Sequence, residues 1–468
     1  MIIIETSKTC VPEKNYVFEV VLSEFLGLDY TVRFDDSISD KTTISIDAPG
    51  PRKDIELNDT FFRNASVKWL SDDTLPKMPL KVLHLNRTFL TESLPFSDIN
   101  VLFGEAYIVR NDESNISCGI DLFGSIFFML SRYEEMVVDD RDSHDRFPSK
   151  SSVAYKASFL TRPIVNEYVE ILWQLISDPN SRLSRKKQSF RITLTCDVDW
   201  PFNPINENYR LLARKITSNL INSLDFRTSV RNVKEFFNVK KHGWRADSHN
   251  TFNYLMRLAE KNNTGMAFYF ICDHTAGQID GNYTLDNPMI EKLMLDIHHR
   301  GHEIGLHSSY NTYLNQKQTQ KEATILTDKL QRLDIKQSHI GVRQHYLRYR
   351  TPETITHLDS ANLQYDSTLS YADHVGFRCG TCYEYTMYDL KNRAKLKIKE
   401  RPLIAMETTV ISSNYMNLGY TGEAIKTFKH LMKQCYFYKG NFILLWHNSF
   451  FHDQRCFNIL EEIVSERF

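Results

Sequence analysis

Several residues able to do acid, base or ligand chemistry stand directly after short apolar runs in the C-terminal two-thirds of the chain. Asp197-Val198-Asp199 follows Ile192-Thr-Leu-Thr-Cys196. Residues two apart in an extended chain share a side, so the two carboxylates can share a proton or a cation. One could ligate a metal while the other accepts a proton, or both could simply cap the next helix. Gly301-His-Glu-Ile-Gly-Leu-His307-Ser-Ser-Tyr-Asn311 sets an imidazole and, four residues on, an amide oxygen where one helical turn could aim both at one ion. A lone histidine is more often a satisfied structural residue, and His302 reads that way. Trp446-His447-Asn448 ends an apolar strand. An imidazole there can donate a proton at neutral pH, or cap the sheet edge. Arg343 follows the short run His339-Ile-Gly-Val342.

The elements that must hold these groups alternate. From Phe190 onward the pattern predicts strands at 192–196, 266–271, 303–306, 339–342 and 441–446, with helices near 251–261, 288–300 and 318–333 between them. Such alternation builds a parallel sheet. No Gly-x-Gly-x-x-Gly follows the first strand, so a barrel is favoured over a doubly wound dinucleotide fold. Active sites of parallel α/β folds form at the C-terminal strand ends, and that rule selects Asp197, Asp199, His307, Arg343 and His447. Residues 200–250, rich in Asn, Arg and Lys, read as an insertion.

The first 150 residues mix strand candidates, such as Tyr30–Phe34 and Thr43–Ile46, with polar loops, as a small α/β domain would. Gly119 to Glu135 reads as a helix half-buried against a sheet and ending in charge. The polar run Asp139–Ser149 marks a boundary or surface loop. A connector over 151–189 contains a helix from Pro163 to Ile176 and the turn Asp178-Pro-Asn-Ser181. The expected division is 1–150, 151–189 and 190–468.

With 468 residues, two domains are the natural expectation. Lys plus Arg (57) nearly cancels Asp plus Glu (58), so no global field favours nucleic acid. Ser184-Arg-Lys-Lys187 reads as a solvated linker. The amino terminus lacks the basic start and apolar core of a secretory signal, and no apolar run reaches membrane-spanning length. Several cysteines sit in apolar runs as small core residues, which suits a reducing cytoplasm. Cys379-Gly-Thr-Cys382 has no second pair to complete a zinc ribbon and reads as incidental turn cysteines.

The order of these segments resembles the NodB-homology polysaccharide deacetylases, carbohydrate esterase family four. Leu194-Thr-Cys-Asp197-Val-Asp199 is similar to that family's Thr-Phe-Asp-Asp strand end, and Met266-Ala-Phe-Tyr-Phe-Ile271 to its Ala-Thr-Phe-Phe strand. Gly301 to Ser308 is similar to Gly-His-Glu-Ile-Gly-Asn-His-Thr, Arg343-Gln-His-Tyr346 to Arg-x-Pro-Tyr, and Leu444-Leu-Trp-His447 to the final Leu-x-x-His. The resemblance covers roughly residues 190 to 450. It implies a distorted (β/α) barrel with a smaller N-terminal α/β domain. Tyr365–Leu369, Tyr371–Asp373, Gly376–Arg378, the helix around Phe123 to Glu135 and the Asp142–Phe147 loop fit a subset of such proteins that carries this extra domain.

Carried over residue by residue, the resemblance makes Asp197 the general base, Asp199 and His307 metal ligands, His447 the general acid and Arg343 the group that orients the base. Tyr346 falls where the backbone helps hold a developing oxyanion. Two departures stand out. Val198 separates aspartates that are adjacent in the family, and Asn311 replaces a second histidine. An amide oxygen is a harder ligand than imidazole, so the ion expected is zinc or another divalent metal. The implied reaction removes an N-acetyl or O-acetyl group from a sugar, in a cytoplasmic precursor of a surface polysaccharide. Trp200, Tyr346, Tyr371 and Trp446 are the aromatic residues expected to stack on it. The alternatives are hydrolysis of a non-sugar amide, formyl or ureide, and carbohydrate binding without catalysis. Oligomeric state is not legible in the sequence.

Overall fold

The structure, a computed structural model, describes residues 2–46, 53–85, 94–112, 115–177, 183–222 and 226–468. The expected turn at 178–181 lies outside the described residues. The chain divides into two compact units. One comprises Met1–Arg191, Leu347–Ile404 and Leu431–Phe442; the other comprises Ile192–Tyr346, Ala405–His430 and Ile443–Phe468. Residues 347–404 thus cluster with the N-terminal residues, whereas the expected third segment ran unbroken from 190 to 468.

The first unit is α/β. Its mixed sheet joins β1 (Ile2–Thr6), β2 (Tyr30–Phe34), β3 (Lys41–Ile46), β4 (Lys53–Asn58), β7 (Gly104–Arg110) and β8 (Asn115–Ile120) in the order β2-β1-β3-β4-β8-β7. A separate antiparallel pair is formed by β5 (Lys81–His84) and β6 (Asp98–Val101). The apolar helix at Leu122–Leu130 is buried along its whole length, more deeply than its half-buried expectation. One carboxylate starts two helices here: Asp121 accepts from Gly124 N on its own helix and from Thr60 N and Phe61 N on the helix Thr60–Val67. The charges that follow the helix are also internal. Arg132 pairs with Glu134 and Glu135, and Glu135 pairs again with Arg378 at 2.8 Å.

The same unit contains β13 (Tyr365–Asp366), β14 (Tyr385–Asp389) and β15 (Ala394–Glu400), with β15 parallel to β13 and antiparallel to β14. Its helix Ile164–Ile176 lies close to the expected bounds.

The second unit is built on parallel strands: β9 (Arg191–Val198), β10 (Met266–Ile271), β11 (Glu303–Ser308), β12 (Gly341–Gln344), β16 (Ala405–Met406) and β17 (Asn441–Leu445). Hydrogen-bonded neighbours run β12-β11-β10-β9-β17-β16. The strands are almost wholly buried, as apolar runs covered on both faces must be. Helices Phe252–Lys261, Pro288–His299 and Gln316–Arg332 separate them within two residues of expectation. The expected insertion between β9 and Asn250 contains the helices Tyr209–Asn222 and Phe226–His242. Among the described residues no helix is long and apolar enough to cross a membrane.

Candidate metal centre

Apart from Asn311, every candidate ligand and proton-transfer group of the second unit sits at or just past the C-terminal end of one of these strands. Register places Asp197 on β9 beside Tyr269 on β10, and His307 on β11 beside Arg343 on β12. Strand alternation then turns Asp199 to the side of Asp197, past the buried Val198. The inserted valine therefore changes the spacing without removing either carboxylate from the site.

Asp199, His307 and His345 bring one donor atom each to within 4.8 Å of one another. Their hydrogen bonds orient them. His307 Nδ1 donates to the Arg343 carbonyl at 2.8 Å, and His345 Nδ1 donates to Asp280 Oδ1 at 2.9 Å. Both imidazoles are thereby fixed with Nε2 toward Asp199 Oδ1, at 3.1 and 3.7 Å. That oxygen is buried and has no hydrogen-bond partner. Neutral imidazole lone pairs converging on a carboxylate oxygen are repulsive unless a proton or a metal ion lies between them. The donor set of two nitrogens and one oxygen suits zinc and other divalent ions, so the cluster fits a divalent metal.

The local field agrees. Burial disfavours the Asp199 charge, yet His345 and His307 hold its carboxyl well below the usual range. Burial also opposes charge on His345, but Asp199 and Asp280 outweigh it and lift the imidazole to about 9. The carboxylates that would keep a proton there would equally keep a metal ion.

Asn311, expected as the third ligand, is exposed, and its side-chain amide donates to the Thr275 carbonyl at 3.0 Å. The third donor atom comes instead from His345. A residue just past the end of β12, two positions after Arg343, satisfied the strand-end rule in the sequence. Asp280, the other group missed, lies in the loop after β10, where no motif marks it.

Two charge pairs flank the cluster. Arg343 Nη1 donates to Asp197 Oδ1 and to Thr195 Oγ1, each at 2.9 Å, with its guanidinium 4.7 Å over the Tyr269 ring. Asp197 Oδ2 faces His307 Nε2 at 3.7 Å. His447 Nδ1 donates to Glu407 Oε1 at 2.5 Å, and its Nε2 is 3.6 Å from Asp199 Oδ2. Burial opposes the imidazolium, but Glu407, with Asp199 and Asp197, outweighs it and raises His447 to about 10. Glu407, directly after the two-residue β16, was also missed, although the apolar run Leu403-Ile-Ala-Met406 before it was the signal for a strand end.

Two glycines make the approach possible. A Cβ on Gly305 would lie 2.4 Å from Tyr269 Cδ1, and one on Gly281, where φ is +79°, would lie 2.2 Å from the Asp199 carbonyl oxygen.

Of the expected aromatic residues, Tyr346 is 38% exposed, with left-handed φ of 61° and its ring 4.9 Å from that of His345. Trp200 is half-buried, and its carbonyl accepts from His249 Nδ1 and Asn448 Nδ2. Trp446, expected to stack on the sugar, is not accessible to it. It is fully buried among Phe428, Phe450 and Phe451, because the apolar run carries it into the core. Tyr371 belongs to the first unit, buried beneath the Arg378 guanidinium.

Residues 2–180 match a family described as "Family of unknown function (DUF7033)". Among solved structures the chain is similar to one described as "putative polysaccharide deacetylase from Mycobacterium smegmatis", at 15% identity. That alignment covers 62% of this chain and 85% of the other, with a TM-score of 0.37, too slight to add to the geometry. No curated protein sequence matches.

Proposed function

We propose that the second unit is a metal-dependent hydrolase that removes an N-acetyl or O-acetyl group from a sugar. The observation that carries this reading is the convergence of Asp199, His307 and His345 between an Asp197–Arg343 pair and a Glu407–His447 pair. When bound, a divalent ion supplies Lewis acidity toward an acyl carbonyl and water, and zinc is the first candidate.

The chain's own residues supply the proton transfers. Asp197 commits Oδ1 to Arg343, which leaves Oδ2 to take a proton from the attacking water. His447 is held by Glu407 at Nδ1, and its raised affinity for protons keeps Nε2 ready to protonate the departing amine or alkoxide. Tyr346, in its left-handed turn next to His345, is the backbone position assigned to the oxyanion. Trp200 and Tyr346 are the aromatic residues assigned to the sugar.

Delivery of all these groups from parallel strand ends supports a distorted (β/α) barrel of the deacetylase type. The paired base and acid favour catalysis over binding alone. A cytoplasmic polysaccharide precursor remains the proposed substrate. Acetate release from acetylated sugars, measured with and without added zinc, tests the reading. Metal-dependent release that disappears in Asp197→Asn supports it. Release only from formyl or ureide compounds moves the reading to another amide, and none from either class leaves only binding.

A further inference from the structure

The second unit carries a cavity of about 470 Å³ outside the metal-capable cluster, a size typical of small-molecule sites. It is walled by the segments that leave β9 and β17, at Asn203 and Ser449, and by the helices that bear Lys215 and Arg231. Ser449 lies two residues after His447, and Asn203 four after Asp199. At ~3.8 Å per residue, these walls lie within about 8 and 15 Å of those two residues.

The lining is cationic. Lys215 and Arg231 have no carboxylate partner among the described residues, and Arg231 uses Nη1 on the His452 carbonyl. The lining also carries one carboxylate, Glu235, which leaves it net positive with its histidines neutral and which bonds to neutral groups. Its Oε1 accepts from Asn203 and Asn206 side chains and from the backbone and hydroxyl of Ser248. His249 donates through Nδ1 to the Trp200 carbonyl, and burial lowers its pKa, so Nε2 is left as an acceptor for a hydroxyl.

We propose that this cavity is a phosphoryl-binding subsite, in which Lys215 and Arg231 hold the phosphate or diphosphate of a phosphorylated acetyl sugar. Two cations without a carboxylate partner suit an oxyanion of high charge, and a guanidinium presents several donors to phosphate oxygens at once. The substrate assignment rests on the hydrolase reading; the binding of a phosphoryl group does not.

Titration calorimetry of the full chain at low ionic strength, with inorganic phosphate and with inorganic pyrophosphate, separates the two. Expected is binding of at least one probe, weakened at least tenfold in Lys215→Ala and in Arg231→Gln. The Lys215 variant removes no recorded contact, and thermal melting of both variants checks that folding is retained. Tighter binding of pyrophosphate points to a diphosphate-linked sugar, and tighter binding of phosphate to a sugar monophosphate; either order supports the subsite. In a second arm, kcat/KM for a phosphorylated acetyl sugar should fall at least tenfold in the variants relative to the free sugar. Failure to release acetate from any sugar would sink the hydrolase reading and leave the titration standing. No binding by the wild type, or equal binding by the variants, overturns the subsite.

Discussion

Asp197 and Asp199 stand two residues apart on one strand end, yet they meet different partners, and the difference sets their chemistry. Asp197 receives the Arg343 guanidinium, whereas Asp199 Oδ1 receives only imidazole nitrogens. Replacing Asp197 by Asn should therefore cut kcat by ~10²–10⁴-fold while bound metal stays near the wild-type level. Metal loss in that variant, measured by elemental analysis, would mean that the two aspartates have exchanged roles. Glu407 acts through His447 and not on substrate. Glu407→Gln should lower kcat by ~10–100-fold and leave KM nearly unchanged, and an effect confined to KM would argue against a positioning role. Both aspartates, His307, Arg343 and His447 were legible in the sequence because each follows a clear apolar run. His345 was not, since the similarity to Arg-x-Pro-Tyr put it at the family's proline and Asn311 already occupied the expected ligand position.

At the scale of elements, strand register does the aligning, and the close contact between two strands explains Gly305. Gly305 on β11 leaves room for the Tyr269 ring of β10, and that ring lies against Arg343, which in turn holds Asp197. Gly305→Ala should cost about 1–3 kcal/mol of stability by overpacking and lower kcat through the displaced arginine. Denaturant unfolding and steady-state kinetics check the two effects. Wild-type stability in this variant would show that Tyr269 has space to move. The main strands and helices of this unit were visible as alternating runs, with bounds good to a residue or two. What escaped were short elements and charge networks: β16 has two residues, and the run Arg132–Glu135 has the pattern of the charged end of a half-buried helix. In the fold those charges face Arg378, which lies more than two hundred residues away in sequence. No local pattern can announce such a partner.

Across the whole molecule, buried charge links stability to solution conditions. Burial alone would raise the Glu135 carboxyl, but Arg378 and Arg132 outweigh it and bring it down to about 2. Its folded pKa is thus below its unfolded value, so its contribution is fully present above pH ~4.5 and is lost as pH falls toward 2. Glu135→Gln should flatten that part of the acid-unfolding curve and, by leaving Arg378 buried without its carboxylate, cost about 3–5 kcal/mol at neutral pH. An unchanged acid limb would show that other groups govern it. The most direct test of a metal-dependent active site is elemental analysis of the purified chain beside its His345→Ala, Asp199→Ala and Asn311→Ala variants. Expected is about one divalent ion per chain, one per site, in the wild type and in Asn311→Ala, with loss in His345→Ala and Asp199→Ala. No divalent ion in the wild type even after incubation with zinc, or full retention in His345→Ala, would contradict the centre built on Asp199, His307 and His345.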